Sequence, residues 1–454
     1  MAGEQAGEAG ASRQRKINRN YFLPESVGGT VAIASSDFPL PSPGPVGGRL
    51  ALFSSEWTKL CTTDNWVLNW VTTGLTWRWR DQSPSLRKEP WAFALPTEPA
   101  KVERLHKEVT DLLQKGAIEE VPSQPGWFSL IFLVPKKLGG WRPVFDLSSL
   151  NNFLVIPKFK MESALSIQRS LKQGQWVISI DVKDAYLHIP IRSAYRKYLM
   201  FAYRGKTYRF TVLPFGLATA PYVFTRVVRA MAVKIRLIGI VFHHYIDDWL
   251  IVADTPQQAI KHARYVINLA ITLGWIPNWT KSNLIPTQTF EYVGVAYDLS
   301  RGLALPPMGR VDKLVALAQV LIGSRSCTAR SLLSLIGLIA SMEKQVPFGR
   351  LFMRPIQWCL ALQWKISTDR LDHIVTLDDR AVEAIRWWMA PGHLYRGMTL
   401  DEYVPDRDFF TDASQVAWGA HMDDLELSIM WSDHDRTFHI NVLELRAVLR
   451  ANQQ

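Results

Sequence analysis

The stretch HHYIDDWLIVAD, residues 243–254, sets two adjacent carboxylates, Asp247 and Asp248, between two apolar runs. GIVFHHY before them and WLIVA after them are β-rich, so the acids are expected at the tip of a hairpin. Adjacent acids alone decide little. Asp378-Asp379 and Asp423-Asp424 also occur, and such a pair is ordinarily a turn or a helix cap at the surface. Sixty-six residues upstream, however, Asp181 closes the run WVISID. An acid ending a buried strand is costly unless it is paired or coordinates a cation. Two magnesium ions held by strand-end and hairpin carboxylates can clamp the attacking and leaving oxygens of an in-line phosphoryl transfer.

Outward from this stretch, the segment 129–253 reads as short β-rich runs, SLIFLV, WVISID, KYLMFAY, TYRFTV, GIVFHHY and WLIVA, separated by turn residues. Two helices interrupt or follow them. One comes after LPFG, with Thr219 as its expected N-cap and Pro221 in the first turn; the other opens at Thr255-Pro256 and stops at Gly274. An amphipathic helix is expected over 101–115, and 311–365 reads as helical with Thr328 as a cap. Strand returns at 408–422. Strands and helices alternating without a regular βαβ rhythm indicate an α+β sheet with helices on one face.

At 454 residues the chain has room for about three domains. With 48% hydrophobic and 20% charged residues it is neither a disordered polyelectrolyte nor a disulfide-stapled miniprotein. The net charge is +11, and residues 181–240 hold eleven Lys/Arg against Asp181 and Asp184, a concentration that suits a polyanion through counterion release. A solvated basic face is the alternative. Cys61, Cys327 and Cys359 form no CxxC pair and leave an odd count, which points away from a disulfide framework or a zinc site. No apolar run reaches the roughly 18 residues of a spanning helix, and the N-terminus lacks an apolar signal core, so an intracellular soluble protein is expected, in cytoplasm or nucleus. Residues 1 to about 50 are rich in Gly, Ser, Pro and Ala and read as a flexible tail. The tryptophans between Trp57 and Trp91 follow no clean period and have no assigned place.

Asp181 in DVKDAY, LPFGLATAP at 213–221 and YIDD at 245–248 occur in the order and approximate spacing of reverse transcriptases, a family this chain resembles over about 101–450. GWFSLIFLVPKKLGGWRPVFDLSSLNN (126–152) and HHYIDDWLIVAD look most like DIRS-type retrotransposons, whose polymerase is followed by a ribonuclease H domain. The resemblance implies an α+β right-hand polymerase (fingers, palm, thumb) and then a partial ribonuclease H-like α/β domain. The expected layout is a low-complexity tail at 1–56, an N-terminal extension and first fingers helix at 57–125, and fingers and palm at 126–300. A helical thumb and connection at 301–400 and a truncated nuclease segment at 405–454 complete it. By the same resemblance Asp181, Asp247 and Asp248 are the catalytic, metal-binding carboxylates, holding two Mg²⁺, with Mn²⁺ as an alternative. Lys281 protonates the leaving pyrophosphate. Lys137 (or Lys136) and Arg142 neutralise the triphosphate, Tyr186 lies beneath the incoming sugar and rejects a 2′-hydroxyl, and Phe215 and Gly216 line the nucleotide pocket. Val293 and Gly294, in EYVGV, form the primer grip. RNA template, DNA primer and deoxynucleotides are the implied partners, with no membrane; the motifs leave the oligomeric state open.

Farther on, Asp412 in FFTDAS and Glu444 in INVLELRAVL match two carboxylates of a ribonuclease H. Glu444 has a second reading, a capping box with Asn441, and Asp412-Ala-Ser a plain turn. After Glu444 the sequence LRAVLRANQQ contains no acid, so the nuclease reads as truncated, unable to cleave a hybrid, and the chain as a fragment of a longer polyprotein. An RNA-dependent RNA polymerase is the competing enzyme reading, which Tyr186 disfavours. A non-catalytic nucleic-acid-binding remnant is the competing non-enzymatic one.

Overall fold

The structure, a computed structural model, describes residues 33–39, 44–61, 64–90, 98–135, 141–400 and 406–453. Two compact units divide the chain, one ending at Leu400 and one beginning at Asp401.

At the centre of the first unit is a four-stranded antiparallel sheet, ordered Val241–Tyr245, Asp248–Ala253, Trp176–Asp181, Asn283–Thr287. Its two central strands are apolar on both faces, and each face has its own partner. Ile178, Ile180, Trp249 and Ile251 turn toward the helices Ala220–Leu237 and Pro256–Thr272 in the main core. Val177, Leu250 and Val252 turn the other way, against Tyr292, Val295 and Tyr297. The alternation is that of an extended strand, whose successive side chains take opposite faces. Those last residues belong to a second sheet, Thr289–Tyr292, Val295–Asp298, Leu303–Leu305 and Met398–Thr399.

Thr255 and Thr328 cap their helices by accepting from the backbone N–H of Gln258 and Ser331. Thr219 does not. Its backbone is already helical (φ −85°, ψ −10°), which turns the hydroxyl away from the first free amides, and among the described residues its buried Oγ1 has no partner. The helical segment expected over 311–365 is three helices, Met308–Ser324, Ala329–Ala340 and Gly349–Gln363, and a fourth, Asp379–Met389, joins them around a separate core.

The flexible tail expected up to residue 56 is contradicted where the structure describes it. Val46, Leu50 and Trp57 are buried, and the Gly47 amide donates to Lys115 O at 2.8 Å. A Cβ at Gly47 would lie 2.2 Å from Gly116 O, so this loop fits only because it has no side chain there. Composition misled because a few apolar anchors suffice to dock a Gly/Pro-rich strap onto an existing core. Several of the unplaced tryptophans pack there too: Trp57 Nε1 donates to Leu273 O at 2.8 Å, and Trp77 and Trp79 meet Tyr195 and Tyr198, whereas Trp66 is exposed and Trp91 lies outside the described residues.

In the second unit the stretch expected as strand is a meander, Phe410–Ala413, Ala417–Met422 and Leu425–Met430, followed by the helix Ile440–Ala451. Trp418, Trp431, Leu443 and Ala447 form its small core. Buried Asp435 ties the helix down by accepting from Arg446 and Arg450. Cys61, Cys327 and Cys359 are free and buried. No helix among the described residues is long and apolar enough to cross a membrane.

Candidate active site

Register brings the distant acids together. Asp181 is the antiparallel partner of Asp248, just as Ser179 is of Leu250 and Val177 of Val252. Cross-strand partners share a face, with Cβ atoms about 5 Å apart, so Asp181 and Asp248 open onto the side covered by the Thr289–Asp298 hairpin. A cleft of about 370 Å³ lies there, lined by Asp181, Asp248, Lys281, Glu291, Tyr292, Val293 and Gly294.

Asp247 sits in a two-residue turn, Ile246-Asp247, closed by the Tyr245–Asp248 pair. Ile246 has φ 55°, a conformation that β-branched residues rarely adopt. The strain persists because neighbours overdetermine it. Trp249 Nε1 donates to Ile246 O at 3.1 Å, and the Val182 amide donates to Asp247 O at 3.0 Å. The main chain around Asp181 is held equally firmly, its amide donating to Ser282 Oγ at 3.0 Å and its carbonyl accepting from Asn278 N at 2.8 Å.

Partial burial, and then the charge of Asp181, raises the Asp247 carboxyl above its ordinary value, while Lys281 and the residue's own backbone pull it down. Desolvation, then Asp247 and Asp181, raises Asp248 likewise. Lys281, itself exposed, reaches within 4.0 Å of Asp181 Oδ2. Repulsion among clustered acids is what a cation relieves. Among the described residues no group of three or more His, Cys, Asp or Glu is gathered to hold a metal. The donors nonetheless fit a hard divalent ion: Mg²⁺ takes oxygen ligands and is commonly held by one or two carboxylates plus substrate phosphates, not by an all-protein cage.

Tyr186 rides on the short turn Ala185–His188, five residues after Asp181. Its ring is buried against Phe215 (4.8 Å between centroids) and Phe224 (5.3 Å), and burial, aided by Asp247 and Tyr245, pushes its hydroxyl up to about 12. His188 secures this turn from beneath. Fully buried, it accepts from the Ile276 amide at Nε2 (3.2 Å) and faces Ala185 O with Nδ1, and burial lowers it to about 4. Phe215 is exposed beside Tyr186. Gly216 has φ +96°, and a Cβ there would lie 2.8 Å from Phe145 O.

Val293 and Gly294 make the turn between Tyr292 and Val295, both with positive φ (46° and 74°). A turn of this hand favours Asn-Gly, so Val293 is a second strained β-branched residue at the cleft. Arg310 supports it by donating to Gly294 O at 3.0 Å. Arg142 lies on the strand Trp141–Asp146, paired with Val134 in the backbone ladder. Lys136 and Lys137 lie outside the described residues.

Sequence reasoning missed several supports. Asn151 grips the loop of Gly216, donating to its carbonyl (2.9 Å) and accepting from Ala218 N (2.8 Å). Tyr292 donates to Asp248 O at 2.8 Å, and Ser282 holds Asp181. Asn151 and Tyr292 stood in stretches already singled out, 126–152 and EYVGV; Ser282 had no local signal, since its partner Asp181 is remote in sequence. In the second unit, the helix carrying Glu444 packs on the strand carrying Asp412, and Asp412 is exposed. Among the described residues neither side chain makes a hydrogen bond or ion pair.

The fold is that of a right-hand polymerase. The structure of the foamy viral protease-reverse transcriptase dRH in complex with ds DNA matches with a TM-score of 0.58 at 18% identity, over 91% of this chain and 74% of that one. The foamy viral protease-reverse transcriptase in complex with RNA/DNA hybrid matches at 0.55 and 16%, over 95% and 57%. Residues 134–297 match the family described as reverse transcriptase (RNA-dependent DNA polymerase). The Gag-Pro-Pol polyprotein of simian retrovirus SRV-2 is 28% identical over 192 residues, 40% of this chain and 10% of the relative. The transposon Tf2-3 polyprotein of Schizosaccharomyces pombe is 23% identical over 327 residues, 72% and 23%. The chain thus spans between a tenth and a quarter of the length of these curated relatives.

Proposed function

We propose that the chain is an RNA-directed DNA polymerase of a DIRS-type retrotransposon, copying an RNA template by extending a DNA primer with deoxynucleotides. The observation that carries this reading is the pairing of Asp181 with Asp248 on one face, above a cleft that also holds Lys281 and the Val293-Gly294 turn. Asp181, Asp247 and Asp248 hold two Mg²⁺, or Mn²⁺, which when bound stabilise charge on the attacking and leaving oxygens.

The primer 3′-hydroxyl attacks the α-phosphate of the nucleotide, the bond to the β-phosphate breaks, and pyrophosphate leaves. Lys281, exposed and close to Asp181, supplies the proton that the leaving group takes up. The Val293-Gly294 turn presents backbone to the primer end, and Lys137 and Arg142 offset the triphosphate charge. Tyr186, wedged between Phe215 and Phe224, gives the sugar a wall that cannot yield to a 2′-hydroxyl, with Gly216 beside it. That wall disfavours an RNA-dependent RNA polymerase. Fingers and palm occupy 126–300 and the thumb and connection 301–400. Asp412 and Glu444 belong to a ribonuclease H-like segment. An intracellular location accords with the unpaired cysteines.

Primer extension on an RNA template, with Asp247→Asn alongside, tests the reading. Magnesium-dependent incorporation that the variant lacks supports it. Salt-sensitive template binding without extension replaces it with a nucleic-acid-binding remnant.

A further inference from the structure

The strand Val241–Tyr245, which leads into the Ile246-Asp247 turn, is the outer strand of its sheet and, among the described residues, pairs only with Asp248–Ala253. Its far side therefore presents unpaired backbone groups. Two of them are occupied by side chains instead of a strand. Arg236, in the last turn of the helix Ala220–Leu237, donates to Phe242 O from Nε (3.0 Å) and Nη2 (2.6 Å). Glu162 Oε2 accepts from the His244 amide at 3.0 Å. Glu162 and Arg236 are also ion-paired, so carbonyl and amide are gripped by one connected unit.

His243 extends the grip. Its Nδ1 faces Glu162 Oε2 at 3.1 Å and its Nε2 faces Ser170 Oγ at 2.8 Å; Ser170 in turn donates to Ile167 O at 2.7 Å. Burial works to raise the Glu162 carboxyl, but the hydrogen bond with His243 and the charges of His243, His244 and Arg236 outweigh it and bring it to about 2. Glu162 lies on no strand and does not itself line the cleft, although its charge reaches the lining residue Tyr292, and it belongs to none of the motifs that carry the polymerase resemblance.

We infer that Glu162, with Arg236, is a positioning residue that clamps the free edge of the acidic hairpin and thereby sets where Asp247 and Asp248 stand relative to Asp181. The physical need is specific. A slip of one residue between Val241–Tyr245 and its partner strand would invert every side chain on the strand, and the hairpin turn is already strained at Ile246. An edge strand held on one side only is poorly placed to resist that. Carboxylates must sit within about half an ångström of their working geometry to be effective, and supports one shell behind metal-binding groups commonly change function tenfold to hundredfold when removed.

The inference rests on the polymerase reading, and its test separates the two. Glu162→Ala should lower kcat for primer extension by about tenfold to hundredfold, with KM for the nucleotide and Kd for template-primer within about twofold of the parent. Glu162→Gln, whose amide oxygen still accepts from the His244 N–H, should recover most of the loss. Hydrogen exchange at residues 241–249 should quicken in Glu162→Ala and stay unchanged in the helix Pro256–Thr272. Parental kcat in the alanine variant overturns the clamp, as does a loss shared equally by template-primer binding or left unrescued by glutamine. An inactive parent whose hairpin exchange still quickens in the variant removes the polymerase reading and keeps the clamp. Unchanged exchange in an active protein does the reverse.

Discussion

Two sets of acids in this chain follow one sequence plan and reach different surroundings. Asp181 and Asp412 each close an apolar run, and each has acids downstream: Asp247 and Asp248 for the first, Glu444 for the second. In the first unit Asp248 lies on the strand beside that of Asp181, so the ladder itself sets the two opposite, and burial first, then the neighbouring acids, raises both Asp247 and Asp248. In the second unit the downstream acid rides on a helix, Asp412 is exposed, and the buried carboxylate is Asp435, spent on holding Arg446 and Arg450. Antiparallel register is a rigid spacing device, whereas helix-on-strand packing leaves the separation of two side chains to details that no motif carries.

The largest effect that would break this comparison is on catalysis. Asp181→Asn or Asp247→Asn should lower primer extension on the order of a thousandfold, since the metal-held charge is worth several kcal/mol, while Asp412→Asn should leave it unchanged. Equal losses in both units would show that the contrast is false. Chelation with EDTA should likewise stop incorporation, and added Mg²⁺ should restore it.

A smaller change tests the wall beside the first site. Tyr186→Val should raise the ratio of ribonucleotide to deoxynucleotide incorporation between about tenfold and hundredfold, read from competition assays; an unaltered ratio would assign Tyr186 to the core alone.

The support beneath that wall responds to pH. The folded His188 ring resists protonation down to about 4, whereas an unfolded ring takes a proton near 6.5. Acidification between those values therefore favours unfolding, by up to about 3 kcal/mol from this residue. Chemical denaturation at pH 7 and pH 4.5 should show a shallower decline for His188→Gln.

The smallest effect concerns the strained turn at the cleft. Val293→Asn should stabilise the protein by about 0.5–1 kcal/mol, because Asn accepts the positive φ that Val resists. A loss of stability would mean that the valine side chain has a packing role outweighing its backbone strain.

Much of this was legible in the letters. The hairpin around Asp247-Asp248, the helix stops at Gly274, and the caps at Thr255 and Thr328 follow from local chemistry, and the structure has them. Thr219 misled because a favourable residue type does not guarantee the backbone angle that a cap requires. The docked strap at 44–56 and the homes of Trp57, Trp77 and Trp79 were illegible, because each depends on a surface built by residues more than sixty positions away.

By itself, then, the amino-acid order determined which residues carry charge into apolar strands, where those strands turn, and which family's motifs they spell. Only the tertiary structure decided that Asp181 and Asp248 share one register and one face, that Ser282, Tyr292 and Asn151 hold the site's backbone, and that Glu162 grips the hairpin's open edge. The reason is physical: turns and caps are won within a few residues, whereas ladder register and the shielding of an edge are settled by groups the chain must fold to bring together.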